Sequence, residues 1–403
     1  MLSLGDVRAA RERIDPVVRR TPLERSRTFS EMAGADVHLK LETFQRTGAF
    51  KIRGAMNRIA TLSAAEQEAG VVTASAGNHA QGVALAATRS GVDSTIVMPE
   101  HAPVSKVKAT RGYGGRVVLE GVDYEEAQAH AHEIERREGR TYVHAFDDEA
   151  VMAGQGTIGL EIVEDCPEVE TVVVPIGGGG LIAGIATAIT TQLDDVRVVG
   201  VQAEGADSAA RSLELGRVET IDSVDTIADG IATRSVGDRT FEILEKRVDE
   251  VVTVSDREIA HALTLLLERS KTLVEGAGAV PLAAVLAEAF EYETDETIVA
   301  VLSGGNIDMN RLTTVIMRGL IEMGRYLKVK MVLKDRPGEL ETIARIVADH
   351  GANVYAVHHD RTSRDVAVNA AELEVEMETH DDDHAAEIVA SLEEHGYEVE
   401  ILA

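Results

Sequence analysis

The stretch Thr171-Val172-Val173-Val174-Pro175-Ile176-Gly177-Gly178-Gly179-Gly180-Leu181 decides the fold. Its opening residues are β-branched and apolar, as in a strand buried on both faces, and the alanine-rich run after Leu181 reads as a helix. Between the two, four glycines remove every Cβ from the turn. Backbone N–H groups can then converge on an anion at the positive end of the helix, which suits a phosphate without a basic side chain. Close packing of a strand-to-helix turn accounts for one or two glycines. The stretch lacks the Lys-Ser/Thr ending of a nucleotide loop and the spacing of a dinucleotide fingerprint.

The same texture extends outward in both directions. Short β-branched runs at 70–74, 94–98, 116–119, 171–174, 196–201 and 297–302 alternate with helical patterns at 78–90, 124–137, 181–191, 256–269 and 280–290. This predicts an α/β fold, a mostly parallel sheet with helices on both faces, from about residue 37 to 324. Active groups then belong at the C-terminal ends of the strands. After Gly324, Leu327, Val329 and Met331 alternate with Lys328 and Lys330, the pattern of a half-buried strand. Asp335-Arg336-Pro337-Gly338 makes a turn, followed by a helix with Leu340, Ile343, Ala344 and Val347 on one face. Strand signals at 353–358 and around Leu373, Val375 and Met377 precede a helix that turns Ala385, Ile388, Val389 and Leu392 inward, and 397–402 supplies a last strand. The order βαββαβ is the ferredoxin-like split unit, so the chain divides into 1–324 and 325–403.

Of 403 residues, 44% are hydrophobic, and none of the apolar runs reaches the length of a membrane span. Asp6, Arg8, Arg11, Glu12 and Arg13 break up the N-terminus, unlike a signal peptide, so the cytoplasm is the expected location. Against 69 acidic residues stand 40 basic ones, a net charge of −29 that repels nucleic acid and anionic membranes. A lone cysteine, Cys166, excludes an intrachain disulfide framework and a multi-cysteine zinc site.

Three further segments carry chemistry. In Thr47-Gly48-Ala49-Phe50-Lys51-Ile52-Arg53-Gly54-Ala55, Lys51 stands at a helix start between apolar neighbours. Desolvation there lowers an amine's pKa and frees it to attack an aldehyde, although a surface lysine fits the same pattern. Ser75-Ala76-Gly77-Asn78-His79-Ala80-Gln81-Gly82 runs off a strand into a helix whose N–H groups suit a carboxylate. Asn78 alone also reads as a helix cap, and His79 as a satisfied structural histidine. Ser303-Gly304-Gly305-Asn306 ends the strand at 297–302, where a hydroxyl can face a ligand or cap a turn.

Together these motifs, in this order and over about residues 4–324, resemble the fold-type II pyridoxal-phosphate enzymes, and within them the threonine dehydratase (threonine ammonia-lyase) and serine racemase group. Ala153-Gly154-Gln155-Gly156-Thr157 and Glu275-Gly276-Ala277-Gly278-Ala279 add to the likeness. The resemblance implies two open twisted α/β subdomains with pyridoxal 5'-phosphate as cofactor. It makes Lys51 the Schiff-base lysine and Cα base, Gly177, Gly178, Gly179, Gly180 and Leu181 the phosphate cradle, Asn78 the partner of the ring oxygen and Ser303 that of the pyridine nitrogen. Ser75, Ala76, Gly77, Asn78 and His79 would bind the substrate carboxylate. Ser75 also matches the serine that moves a proton in the racemases. The implied reaction turns L-threonine, or L-serine, into 2-oxobutanoate, or pyruvate, and ammonia, with serine racemase or a serine or hydroxyaspartate dehydratase as rivals. An amino-acid sensor without catalysis is the rival from another class.

Some relatives carry a metal site on a glutamate and a later aspartate; Glu204 matches the first, but Ala210 stands at the second, so no metal is expected. Phe146 replaces an asparagine that contacts the cofactor in some relatives. The C-terminal part resembles an ACT domain, which implies an effector such as isoleucine or valine near Asp335, Pro337, Gly338 and Asn353; the resemblance of the whole chain to the dehydratases implies a role in isoleucine biosynthesis and a homotetramer. A dimerisation module without a ligand fits the same motif. Only nine of the basic residues are lysine, and acidic excess with scarce lysine matches proteins of salty cytoplasm. Unfolding midpoints are therefore expected to rise with added salt; a midpoint that falls or stays level would remove the salt-adaptation reading.

Overall fold

Apart from 116–119, which forms an edge strand, the β-branched runs become the inner strands of two sheets in a computed structural model that describes residues 1–362 and 366–403. Two units separate, Met1–Met309 and Asn310–Ala403, so the helix Met309–Glu322 falls almost wholly in the second, ahead of the expected division at 324.

In the first unit, the larger sheet contains β1 (Leu23–Arg25), β2 (Asp36–Leu41), β7 (Thr171–Pro175), β8 (Arg197–Ala203), β9 (Glu250–Val254) and β10 (Thr297–Leu302), in the order β1-β2-β10-β7-β8-β9. All its pairs are parallel except β1 on β2. The smaller sheet is parallel throughout, in the order β5-β4-β3-β6, from β3 (Val71–Ala74), β4 (Ser94–Met98), β5 (Arg116–Leu119) and β6 (Thr141–Tyr142). The β10 to β7 register pairs Ala300 with Val173, which brings Ser303 and the glycine loop out at one edge.

Three helices behind that edge pack closer than side chains allow. A Cβ on Gly154, in the helix Glu149–Asp165, would lie 2.5 Å from the Arg53 carbonyl in the helix Lys51–Ala60. One on Gly184, in the helix Gly180–Ile189, would lie 2.3 Å from the Met152 carbonyl. The Gly154-Gln155-Gly156 motif thus holds the lysine-bearing helix and the glycine-loop helix to a shared neighbour. Gln155 reinforces the contact by accepting from the Gly54 N–H at 3.1 Å.

Helix bounds depart from the sequence reading by more than two residues at two places. The helix expected at 280–290 is Gly276–Leu286, because Gly276 and Gly278 press against the Ile227 and Gly304 carbonyls and that packing outweighs glycine's poor helix propensity. The pattern at 256–269 is an α-helix, Asp256–Leu265, that loosens into a π-helical turn, Leu266–Ser270.

Beneath the site lies a buried ionic cluster. Arg53, 1% exposed, donates to Glu42 at 2.7 and 2.8 Å and to Glu161 at 2.6 and 3.0 Å. Lys40, fully buried, donates to Glu161 and to the Thr21 carbonyl, each at 2.7 Å. Burial pushes the Glu161 carboxyl up, but Arg53 and Lys40 outweigh it and hold the group below its ordinary range. Two positive and two negative side chains cancel, which is what makes their burial tolerable.

The second unit is β11 (Tyr326–Lys334), the helix Glu339–Asp349, β12 (Asn353–Asp360), β13 (Ala370–Glu378), the helix Asp382–Glu394 and β14 (Val399–Ile401). Its antiparallel sheet has the order β12-β13-β11-β14, as a split βαββαβ unit does. Leu327, Val329 and Met331 join Leu373, Val375, Met377, Ile388 and Leu392 in one core. Leu340 and Ala344 are exposed, contrary to expectation, and Ile346 takes the inward place beside Ile343 and Val347. The buried stripe is turned toward the Ile346 side of the helix relative to where periodicity set it.

Replacing Arg53 with methionine strands a net negative charge in the core. Arg53→Met is expected to cost about 3–5 kcal/mol in denaturant unfolding. Glu161, no longer held low by Arg53, would carry a raised folded-state pKa, so the variant should regain stability as pH falls. A variant loss that does not shrink between neutral and mildly acid pH would contradict the charge account.

Candidate active site

The C-terminal ends of β3, β7 and β10 and the start of the lysine helix enclose a cavity of about 1000 Å³. Lys51, Ser75, Gly77, Asn78, His79, Gly177 to Leu181 and Ser303 all line it. Ala76 lies off the lining, packed against the cluster of Ile96 and Met98. Glu204 is exposed, and among the described residues no group of three His, Cys, Asp or Glu side chains is placed to hold a metal ion.

Lys51 is the first residue of its helix, and the Phe50 N–H donates to the Ser303 carbonyl at 3.1 Å, tying the two motifs together. The Lys51 amine donates to the Ala145 carbonyl at 2.9 Å and lies 5.1 Å from the Phe50 ring centre. Burial pushes this amine down to about 8, against an opposing pull from Glu275. Roughly a tenth of it is then neutral at pH 7, against less than about one part in a thousand for an ordinary lysine.

The glycine loop has supports that no local motif announces. Gly179 takes φ +90°, a left-handed conformation that favours glycine, and the helix Gly180–Ile189 begins right after it. Phe146 packs on the loop so closely that a Cβ on Gly178 would lie 2.3 Å from its ring. The Gly178 carbonyl accepts from the Thr240 hydroxyl at 2.7 Å and from the Gly237 N–H at 3.2 Å. Asp147 accepts in turn from the N–H groups of Arg239 and Thr240, at 2.9 and 3.2 Å. With its carbonyl tied back, the loop keeps its free N–H groups at the helix start.

On the other side, Ser75 accepts from the Gly77 N–H at 3.2 Å, and the helix Asn78–Ser90 starts immediately after. His79 donates through Nε2 to the Val143 carbonyl at 3.0 Å, and burial, aided by Lys51, pushes its pKa down to about 3. It is a neutral, structurally held ring whose Nδ1 has no protein partner. Asn78 donates to Glu275 at 2.7 Å and accepts from Asn306 at 2.8 Å. Sequence reasoning quoted the Glu275 motif without a role for its carboxylate. It missed Asp147 and Thr240 outright, because only folding brings them to the loop. At the cavity wall Arg234 pairs with Glu125, again from distant segments.

An amine that is partly neutral near pH 7, facing a helix start stripped of side chains, suits an aldehyde that also carries a phosphate. These features suit an enzyme that works with an aldehyde cofactor on a parallel α/β scaffold. The chain belongs to the pyridoxal-phosphate dependent enzyme family, whose family model matches residues 14–304. An L-threonine ammonia-lyase of Thermotoga maritima is 48% identical over 402 residues, covering 100% of both chains. Among solved structures, threonine deaminase isoform 2 from Solanum lycopersicum is similar with TM-score 0.76 and 40% identity, over 78% of this chain and 92% of that one. Maize serine racemase is similar with TM-score 0.75 and 37% identity, over 79% of this chain and 98% of that one.

The lowered amine pKa has a direct readout. In cofactor-free protein, labelling of Lys51 by an amine-directed reagent is expected to rise with a midpoint near 8, below that of exposed lysines. Peptide mass spectrometry across a pH series measures it, and a midpoint near 10.5 would show that the cavity does not desolvate the amine.

Proposed function

We propose that this chain is a pyridoxal-phosphate-dependent threonine ammonia-lyase that converts L-threonine to 2-oxobutanoate and ammonia, with L-serine as a second substrate yielding pyruvate. The observation that carries this reading is the end-to-end similarity to an L-threonine ammonia-lyase, joined to a cavity with a part-neutral lysine on its lining. The residues present fit the cofactor: Lys51 would anchor it covalently, the Gly177 to Leu181 turn would hold its phosphate, Asn78 would serve its ring oxygen and Ser303 its pyridine nitrogen.

When bound, pyridoxal phosphate supplies the electron sink that acidifies the substrate's Cα proton. Lys51 takes that proton on Nζ, which its lowered pKa permits near neutral pH. The Ser75 to His79 turn orients the substrate carboxylate with its backbone N–H groups, and neutral His79 adds no competing charge. The hydroxyl of Ser303 is neutral, so it does not hold a proton on the pyridine nitrogen as a carboxylate would.

Residues 1–324 act in this proposal as the catalytic part and 325–403 as an ACT-type regulatory part. The βαββαβ order of β11 to β14 and the inclusion of this region in the full-length likeness support that division. Isoleucine or valine would bind near Asp335, Pro337, Gly338 and Asn353, in a cytoplasmic homotetramer serving isoleucine biosynthesis. Asp335 pairs with Arg361 at 3.0 Å, and the Asn353 amide donates to Glu378 at 3.2 Å, so an effector would have to compete for both. It would regulate only by binding two states unequally. Serine racemase activity is a second reading, favoured by the likeness to the maize enzyme and by Ser75 on the cavity lining.

Purified holoprotein given L-threonine, L-serine or D-serine, with and without isoleucine or valine, separates these readings by 2-oxo acid formation. Threonine is expected to be the best substrate, and Lys51→Ala to lose about 100- to 10,000-fold or more in rate. Interconversion of L- and D-serine without 2-oxo acid from threonine would overturn the proposal in favour of the racemase.

A further inference from the structure

A polar chain runs from Asn78 and Glu275 on the cavity lining to Asn306 and Thr47 behind it, and the proposed mechanism uses only Asn78 of the four. Asn306 donates from Nδ2 to the Thr47 carbonyl at 2.6 Å and to Asn78 Oδ1 at 2.8 Å, and Asn78 donates from Nδ2 to Glu275 at 2.7 Å. Thr47 lies in the lysine motif, Asn78 in the serine-turn motif, Glu275 before the helix Gly276–Leu286, and Asn306 beyond β10.

The direction of this chain is not arbitrary. A backbone carbonyl only accepts, so the Asn306 atom facing Thr47 must be its nitrogen. Both N–H groups of that nitrogen are then used, which makes the facing atom of Asn78 its oxygen. The Asn78 nitrogen is therefore left to Glu275 and to the cavity it lines. One N–H goes to the glutamate and one remains. Reversing Asn78 would set its nitrogen against the donor of Asn306 and its oxygen against Glu275.

Glu275 fits the acceptor end. Burial pushes its carboxyl up, and Asp229 adds to this, more than Lys106, Asn78 and Lys51 pull it down. In its protonated form the carbonyl oxygen still accepts from Asn78, and no fixed anion holds Lys51 as an ammonium.

We infer that Thr47, Asn306 and Glu275 form a hydrogen-bond relay, directed by the Thr47 carbonyl, that fixes Asn78 as a donor toward the cofactor's ring oxygen, with Asn306 and Glu275 as positioning residues. This rests on the proposed place of Asn78 beside that oxygen. A donor there favours the ionised oxygen, and a hydrogen bond to a charged group is worth about 1.5–3 kcal/mol, roughly a 10- to 100-fold bias.

The test uses holoprotein and the cofactor's own absorbance, in which the visible band reports the ionised ring oxygen and the near-ultraviolet band the protonated one. Asn306→Asp keeps the shape of the side chain but replaces its donor by an acceptor, so Asn78 must turn its N–H away from the cavity. The ratio of visible to near-ultraviolet absorbance is expected to fall about tenfold or more. Glu275→Gln retains an accepting oxygen and is expected to keep the wild-type ratio, whereas Glu275→Leu should lose it. An unchanged ratio in Asn306→Asp, or an equal loss in Glu275→Gln and Glu275→Leu, overturns the relay. Should Asn306→Asp fail to fold, the two Glu275 variants decide the matter from the other end. No turnover is needed, so failure to deaminate threonine would sink the substrate reading and leave the relay to the spectra.

Discussion

Arg53 sits two residues beyond Lys51 on the same helix, and its guanidinium is wholly buried between Glu42 and Glu161. A charge in that position tolerates little movement: each of its donors has a fixed acceptor, and each glutamate would be costly without it. The helix Lys51–Ala60 is therefore fixed in rotation as well as in depth. Glycine contacts at Gly54 and Gly154 hold it sideways, and the bond from Phe50 to Ser303 holds its first turn. The position of the Lys51 amine is thus set mostly by interactions outside the cavity, with the Phe50 to Ser303 bond at its edge.

From that fixed helix the site is assembled at strand ends. Parallel strands put all their C-terminal ends on one side, where several hand the chain to the start of a helix. Two such turns, at Ser75 and at Gly177, offer N–H groups rather than charged side chains, which suits anions of different shape at the two ends of one cavity. Of the lysine and arginine side chains on the lining, Lys51 stands by itself at the start of the lysine helix and Arg234 is paired with Glu125. In a chain of net charge −29, these turns offer an anion backbone dipoles where side-chain charge is scarce.

What was legible in the sequence was whatever a single short segment could state. Strand, glycine loop and helix are contiguous at 171–181, and apolar neighbours around Lys51 announce its desolvation, so these were readable from local pattern. Glu275, Asp147 and Thr240 were not, because their meaning depends on what lies across the cavity. Asn306 was quoted, but its role depends on Thr47 and Asn78, both more than two hundred residues earlier. The misplacement of Leu340 and Ala344 has another cause. Several apolar residues lie within a broad arc of that helix, and periodicity gives the arc but not which edge meets the sheet.

The larger sheet is not built in the order of synthesis. Its central strand β10 is the last of the six to be made, yet it lies between β2 and β7. A ribosome adding about 5–20 residues each second leaves the flanking strands without their shared neighbour for much of the chain's production. Until 297–302 has emerged, two apolar edges stand open, and Ser303 and Asn306 do not yet exist. Cofactor capture is thereby tied to completion of the catalytic fold: a truncated nascent chain owns the lysine but not the place to use it.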